Sequence, residues 1–237
     1  QILGRPTFWK ITMWTYAIVI FTLLGVIVLA YPAAYAIWRA IKDERSAARS
    51  DDRSRENIYV ADGEENAGSV LQPSERWRNV HDACVAELSS RTKDIELLSW
   101  LAESSVRVHG ITGLAGVFEA MRQLITSGFD TLYPLTSEDN PAERVSSLAG
   151  LNGSQDSDGT LIRPLHLTSL IPDQVYGRFS LWEFDQATRK KDSGALAAFH
   201  EAASHADGAA FLTMSAAAER CIADVGAIDR FLTDVFK

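Results

Sequence analysis

The sequence predicts a mainly α-helical protein in which one N-terminal transmembrane helix precedes a helical domain with short extended segments. Three observations support this fold class. The 28 residues 11–38 carry no charged side chain. From Glu75 onward, apolar residues recur every three or four positions, as they do on one face of a helix. No series of strands alternates with these helical patterns, which argues against a doubly wound sheet.

The uncharged run is long enough to cross a membrane. A spanning helix needs about 20 predominantly apolar residues, and residues 11–31 form an uncharged, predominantly apolar run of 21 positions before Pro32. Aromatic and basic side chains flank this run at the positions expected of a membrane interface, namely Trp9, Trp14, Tyr31, Tyr35, Trp38, Arg39 and Lys42. A signal peptide has a shorter apolar core, and a buried soluble helix of this length normally shows a polar stripe. We therefore predict a membrane anchor over residues 1–42.

The flanking charges predict the orientation of this anchor. Six basic residues follow it, Arg39, Lys42, Arg45, Arg49, Arg53 and Arg55, whereas Arg5 and Lys10 precede it. Because basic residues are enriched on the cytoplasmic side, we expect a single-pass protein with residues 43–237 in the cytoplasm.

Residues 43–75 are rich in charged, serine and glycine residues and poor in large apolar ones. This composition predicts a solvated juxtamembrane linker, helical as far as about Arg55. Its basic residues could contact anionic headgroups, but the acidic residues between them weaken that interpretation.

A helical domain is expected over residues 76–237. The first three amphipathic stripes run from Trp77 to Leu88, from Ile95 to His109 and from Val117 to Ile125. Gly110 and Gly113 separate the second helix from the third, and Gly128 can end the third.

The rest of the domain is also expected to be mostly helical. Asn140, Pro141 and Glu143 form a helix-start signal, and Ser180 with Glu183 forms a capping box. Residues 152–160 read as a polar loop, and Leu161 to Val175 as extended structure or short strands. Alanine-rich segments at 194–205 and 208–237 predict the last two helices.

Composition and motifs indicate no enzyme. Residues 43–237 carry a net charge of −12, which disfavours nucleic acid as a partner. No nucleotide-binding, hydrolase or zinc-site motif occurs, so we expect no catalytic residue, no metal, no cofactor and no small-molecule substrate. Cys84 lies in an apolar stripe and is expected to be a core thiol. His109 fits a helix-end residue that bonds carbonyls better than the general base of a hydrolase.

The segment from Ser90 to Pro134 resembles the N-terminal domain of the TssA (ImpA-type) proteins of bacterial type VI secretion systems. In that family, a "KD" pair opens a helix with "WL", followed by "R-x-H-G-x-x-G-L" and a "D-x-L-Y-P" ending. The matching residues here are Lys93, Asp94, Trp100, Leu101, Arg107, His109, Gly110, Gly113, Leu114, Asp130, Leu132, Tyr133 and Pro134. Weaker matches continue through Arg144–Asn152 and Phe179–Glu183. Phe129 stands where the family usually has tryptophan.

The resemblance implies a structural function. Each signature residue can be explained by folding, with Trp100 and Tyr133 as large anchors of a helical core. We therefore expect a non-enzymatic, inner-membrane-anchored component that docks on baseplate, sheath or membrane-core subunits and that could form homo-oligomers. The alternative is a membrane-tethered adaptor or sensor unrelated to secretion, because a fold does not fix a function.

Overall fold

The computed structural model describes residues 34–56, 72–135, 141–154, 157–174 and 176–237. The chain divides into two compact units, Gln1–Asp43 and Glu44–Lys237. Most of the predicted anchor, including Trp9, Trp14 and Tyr31, lies outside the described residues. Among the residues that are described, no helix is both long enough and apolar enough to cross a bilayer.

The described part of the first unit, residues 34–43, is helical. Tyr35 and Trp38 stack with their ring centroids 5.9 Å apart, and Lys42 Nζ lies 4.6 Å from the Trp38 ring centroid. Residues three and seven positions apart share a helix face. Three of the predicted interface residues therefore form one aromatic and cationic cluster, while Arg39 is exposed beside it.

The second unit is mainly helical, as the sequence predicts. Its elements are α1 (residues 44–56), α2 (Arg76–Ser90), α3 (Ile95–Gly128), α4 (Ser146–Asn152), α5 (Ile162–Leu167), α6 (Leu181–Lys190), α7 (Ser193–His205) and α8 (Gly208–Val235). Short 3-10 helices cover Phe129–Thr131 and Pro141–Val145. Strands β1 (Gly153–Ser154) and β2 (Ser157–Asp158) pair antiparallel in the predicted polar loop.

Helix α3 is the centre of the unit, since α2 and α8 both pack along it. Its first half is buried on every side, including the polar residues Ser99, Glu103, Ser104 and Ser105. The hydroxyls of Ser99 and Ser104 are bonded to carbonyls one turn earlier in the helix. A helix surrounded in this way is apolar around most of its circumference and needs a partner for each polar group that it buries.

Several helix boundaries follow directly from the sequence. Ser180 and Glu183 form the predicted capping box at the start of α6. Asp192 and Asp207 cap α7 and α8 through their carboxylates. Gly128 ends α3, as expected. These local signals satisfy backbone groups that a helix end leaves unpaired.

The predictions for residues 161–175 and for the Tyr133 side chain were wrong. Among the described residues 161–174, Ile162–Leu167 form α5 instead of extended structure, turns follow it, and Ser169 makes one isolated bridge with Ser180. Pro164 sits in the first turn of α5, where proline is tolerated. Tyr133 is not a core anchor, since half of the residue is exposed to solvent.

Candidate functional site

Glu103 of α3 lies at the centre of a buried cluster of charges. Its side chain has no solvent exposure, and its two carboxylate oxygens each accept a hydrogen bond, from Arg45 Nε and from Arg49 Nε, both at 2.7 Å. A carboxylate enclosed in this way is stable only when paired. Burial lowers the pKa of Arg45, while the charge of Glu103 opposes that shift.

A second ion pair extends this cluster toward α2. Arg107 donates from Nε to Asp52 Oδ2 at 3.0 Å and from Nη1 to the carbonyl of Glu103 at 2.8 Å. Its guanidinium lies 3.9 Å from the ring centroid of Trp77, which is completely buried. The indole Nε1 of Trp77 donates to the same Asp52 oxygen at 2.7 Å. The signature residue Arg107 thus joins three helices.

This cluster replaces the predicted solvated linker over residues 44–56. Helix α1 packs in the second unit, and its side chains at 45, 49 and 52 point into the charge cluster. Arg55 also bonds the carbonyls of Gln72 and Pro73. Three of the basic residues that could have contacted lipid headgroups therefore have partners within the protein. Helix formation as far as Arg55 is confirmed.

The two ends of the main signature segment are joined to each other. Asp94 caps α3 by accepting from the amides of Glu96 and Leu97 at 2.7 and 3.2 Å. The amide of Tyr133 donates to the carbonyl of Lys93 at 2.8 Å, and the amide of Ile95 to the carbonyl of Tyr133 at 2.9 Å. Tyr133 therefore joins the two ends of the segment through its backbone amide and carbonyl. Asp130 and Pro134 are exposed beside this contact.

Gly110 divides α3 into two helical segments. Its φ of 64° and ψ of −156° interrupt the helix in a region that is nearly restricted to glycine. The bend brings the His109 side chain over the next turn, so that a Cβ on Gly113 would lie 2.4 Å from His109 Cβ. Both glycines are therefore required by the backbone geometry of this bend, at the predicted boundary between two helices.

His109 faces a second imidazole across the α2–α3 contact. The ring centroids of His109 and His81 are 4.8 Å apart and the rings meet edge to face. Partial burial, His81 and Arg78 together lower the pKa of His109, while Asp82 raises it. The predicted bond from the His109 side chain to helix-end carbonyls is replaced by this ring contact, and the His109 carbonyl accepts from Thr112.

A cleft of about 850 Å³ opens at the Gly110 bend. Its walls come from the start of α2, the middle of α3, the 168–176 segment and the first turns of α8. Both charge signs occur in its lining, because Arg78 and Arg107 line it together with Glu75, Asp173 and Asp207. Burial raises the pKa of the Tyr176 phenol, which therefore lines the cleft as a neutral group. The cleft can hold a segment of another protein, because its lining offers apolar surface and both kinds of charge.

The described residues provide little reactive chemistry. No group of three or more His, Cys, Asp or Glu side chains among them could hold a metal ion. Cys84 and Cys221 are both buried, and burial raises their pKa to about 12 and about 11. Cys84 is the core thiol that its apolar stripe predicts.

The sequence did not predict the ion pairs that Arg45 and Arg49 form with Glu103, or the one that Asp52 forms with Arg107. One signal was present, because Glu103 interrupts an otherwise apolar stretch after Leu101 and Ala102. A charged residue in such a position either faces solvent or is paired inside the protein. Nothing local identifies partners that lie 54 and 58 residues away.

Comparison with known proteins agrees with this picture. The model of a family described as "ImpA, N-terminal, type VI secretion system" matches residues 29–153. The type VI secretion system component TssA1 of Pseudomonas aeruginosa is 33% identical over 101 residues, which cover 40% of this chain and 29% of TssA1. The chain thus matches less than a third of the length of this curated relative.

A solved structure is also similar. It is the N-terminal domain, including the conserved ImpA_N region, of the TssA component of the type VI secretion system from Burkholderia cenocepacia. The TM-score is 0.48 at 21% identity, over 67% of each chain. The family match covers more than half of the residues and includes the charge cluster, the Gly110 bend and the Asp94–Tyr133 contact. The chain therefore belongs to the ImpA N-terminal family of type VI secretion system proteins.

Proposed function

We propose that this protein is a non-enzymatic, inner-membrane-anchored docking component of a type VI secretion apparatus. The helical domain at the cytoplasmic face binds a baseplate, sheath or membrane-core subunit and assists the assembly or anchoring of the contractile tail. Family membership supports the assignment to this apparatus.

The observation that carries the docking proposal is the position of the signature segment Arg107–Gly110. Arg107 is fixed by Asp52 and Trp77, and Gly110 sets the bend that opens the cleft. The signature thus shapes a recess of about 850 Å³ and does not assemble a nucleophile with a base. A recess whose walls come partly from α2, α3 and α8 suits the binding of a protein segment, because a wall that is already formed needs little ordering when the segment binds.

The anchor proposal rests on the uncharged run 11–38 and on the interface residues at its C-terminal end. Tyr35, Trp38 and Lys42 form a cluster typical of a membrane–water boundary. The sequence between Trp38 and Glu44 is short, and the second unit begins at Glu44.

Two matched arginine substitutions test the docking proposal. Ala209 lines the cleft and is exposed on α8, whereas Ala197 is exposed on α7 and does not line it. In the source bacterium, the chromosomal gene is replaced by A209R or by A197R, and sheath assembly and effector secretion are measured. We expect A209R to reduce both and A197R to leave both unchanged.

Deletion of the gene provides the limiting case. If sheath assembly and effector secretion stay normal after deletion, the protein is not a working part of the apparatus, and the adaptor function becomes the better account. Equal effects of the two arginine variants at equal protein levels would reject the cleft as the docking surface.

Membrane extraction tests the anchor separately. We expect the full chain to stay in the membrane fraction after washing with carbonate at high pH and to leave it in detergent. The double substitution V19D and L24D should release the protein from the membrane, because each charged side chain at the centre of a membrane-spanning helix costs about 2.5–3.5 kcal/mol. Release of the wild-type chain by carbonate alone would contradict the anchor.

A further inference from the structure

Helix α8 presents an outward stripe that no part of the described chain covers. Leu212 and Ile222 are 74% and 76% exposed, the two highest values among the exposed large apolar side chains. The opposite side of the helix carries Ala217, Cys221 and Ile228, which are buried against the core. Because successive residues of an α-helix are rotated by about 100°, the residues on the side opposite these buried ones can be identified from the sequence. These outward residues are Leu212, Ser215, Glu219, Ile222, Ala223, Gly226, Arg230 and Thr233.

The stripe is complementary to itself when two copies lie antiparallel. Its charges are one acid, Glu219, and one base, Arg230. The small residues Ala223 and Gly226 lie between them, and the midpoint of both pairs falls at the same place on the helix. A two-fold axis through that point sets Glu219 of each copy opposite Arg230 of the other. Two-fold interfaces require this kind of self-complementarity.

We propose that α8 is a homodimer interface in which two copies of this chain pack antiparallel about the Ala223–Gly226 crossing. Two Glu219–Arg230 ion pairs flank the crossing. Ile222 of each copy packs beside Ala223 and Gly226 of the other, and Leu212 lies near the last turn of the partner helix. From Leu212 to Thr233 the contact runs about 32 Å along the helix axis.

Gly226 supports this packing independently. Glycine in the interior of a helix destabilises the helix by about 1 kcal/mol relative to alanine. Among the described residues nothing demands a glycine there, because an added Cβ would meet only Arg230 Nη1, at 3.5 Å. Small residues at a crossing let two helices approach closely, and such a crossing would explain a glycine at position 226.

The charge of the rest of the domain argues for this stripe as the place where copies meet. Residues 43–237 carry a net charge of −12, so two copies repel one another over most of their surface. The outward stripe is neutral, with one acid and one base among apolar and small residues. A contact between identical acidic domains is least opposed at such a neutral, self-complementary face.

A charge-swap experiment tests the interface. Two full-length copies with different tags ahead of Gln1 are co-expressed in a bacterial host without type VI genes, extracted in mild detergent, and captured through one tag. We expect wild-type copies to capture each other. In homotypic pairs, E219R or R230E places like charges opposite each other twice, and we expect capture to fall about tenfold. Co-expression of E219R with R230E restores both ion pairs and should restore capture.

The control is R220E, which reverses an exposed charge on the same helix about 115° away from the outward direction. It should leave capture unchanged. Circular dichroism and a protease digestion pattern equal to wild type confirm that each variant is folded. Absence of capture between wild-type copies would overturn the proposal, and so would equal capture by all homotypic variants. Loss in each variant without recovery in the mixed pair would reject the antiparallel arrangement.

Discussion

The Nε atom of Arg45 lies 2.7 Å from a carboxylate oxygen of Glu103, whose side chain is wholly buried. The two residues are 58 positions apart in sequence. Arg45 follows the predicted membrane anchor by only a few residues, and Glu103 is in the middle of the central helix. This ion pair therefore joins α1 to the core of the second unit, where the sequence alone predicts a solvated linker.

Replacement of Glu103 by glutamine should destabilise the protein by about 3 kcal/mol, because it leaves Arg45 and Arg49 without a counter-charge in a buried site. The measurement is denaturant unfolding of the full chain in mild detergent, followed by tryptophan fluorescence. The matched control is D185N, since Asp185 pairs with Arg189 at an exposed i,i+4 position. We expect a change of about 0.5 kcal/mol or less there. Equal losses in the two variants would contradict a special role for Glu103.

Replacement of Arg107 by lysine should loosen α1 without unfolding the domain. Lysine keeps the charge but cannot reproduce the planar stacking on Trp77 together with bonds to Asp52 and the Glu103 carbonyl. We expect faster amide hydrogen exchange in residues 44–56 and unchanged exchange in α6 and α7. Uniform acceleration across all helices would instead indicate global destabilisation, and no change at 44–56 would show that Arg107 does not hold α1.

Two glycines in the second half of α3 should respond oppositely to alanine. G113A places a Cβ 2.4 Å from His109 Cβ and should cost about 1–3 kcal/mol, because the His109 side chain and the Gly110 bend must shift. A Cβ on Gly116 has no neighbour within 4 Å, so G116A should add about 0.5–1 kcal/mol of stability. Denaturant midpoints of the two variants measure this difference. If both alanines stabilise, the bend at Gly110 is not as described.

The His109 pair predicts a loss of stability toward acid. Partial burial, His81 and Arg78 hold the pKa of His109 below its ordinary value of about 6.5, against the opposing charge of Asp82. The unfolded chain then binds a proton at a higher pH than the folded chain does. The contribution of neutral His109 to stability is full above about pH 6.5, and it declines as the pH falls through the pKa that His109 has in the folded protein.

The variant H109Q removes this titration. As the pH is lowered from 7.5 to 5.5, we expect the free energy of unfolding of H109Q to rise relative to that of the wild type. Parallel curves for the two proteins over that interval would show that His109 does not titrate differently in the folded state.

Much of the fold could be predicted because its signals are local. The capping box at Ser180 and Glu183, the break at Gly110 and the end of α3 at Gly128 each depend on a few neighbouring residues. Apolar periodicity located the long helices for the same reason. The failures involve segments whose structure is decided elsewhere. The packing of α1 depends on Glu103 and Arg107, which are distant in sequence, and α5 is short and contains a proline, so it shows no clear period of its own.

The candidate site was only partly predictable. The resemblance singled out Arg107, His109 and Gly110, and the structure brings all three to one cleft. It also singled out Tyr133, whose backbone makes the contact while its ring stays half exposed. A sequence pattern identifies the residue type at a position, but it does not show whether the side chain or the peptide group of that residue makes the contact.

The measurement that tests the central claim most directly is a native pull-down from the source bacterium. The full chain is tagged ahead of Gln1, membranes are extracted in mild detergent, and co-purifying proteins are identified for wild type, A209R and A197R. The account predicts that baseplate, sheath or membrane-core subunits of the type VI apparatus co-purify with wild type and A197R and are depleted with A209R. Recovery of no type VI subunit with wild type, from cells that express the apparatus, would contradict it.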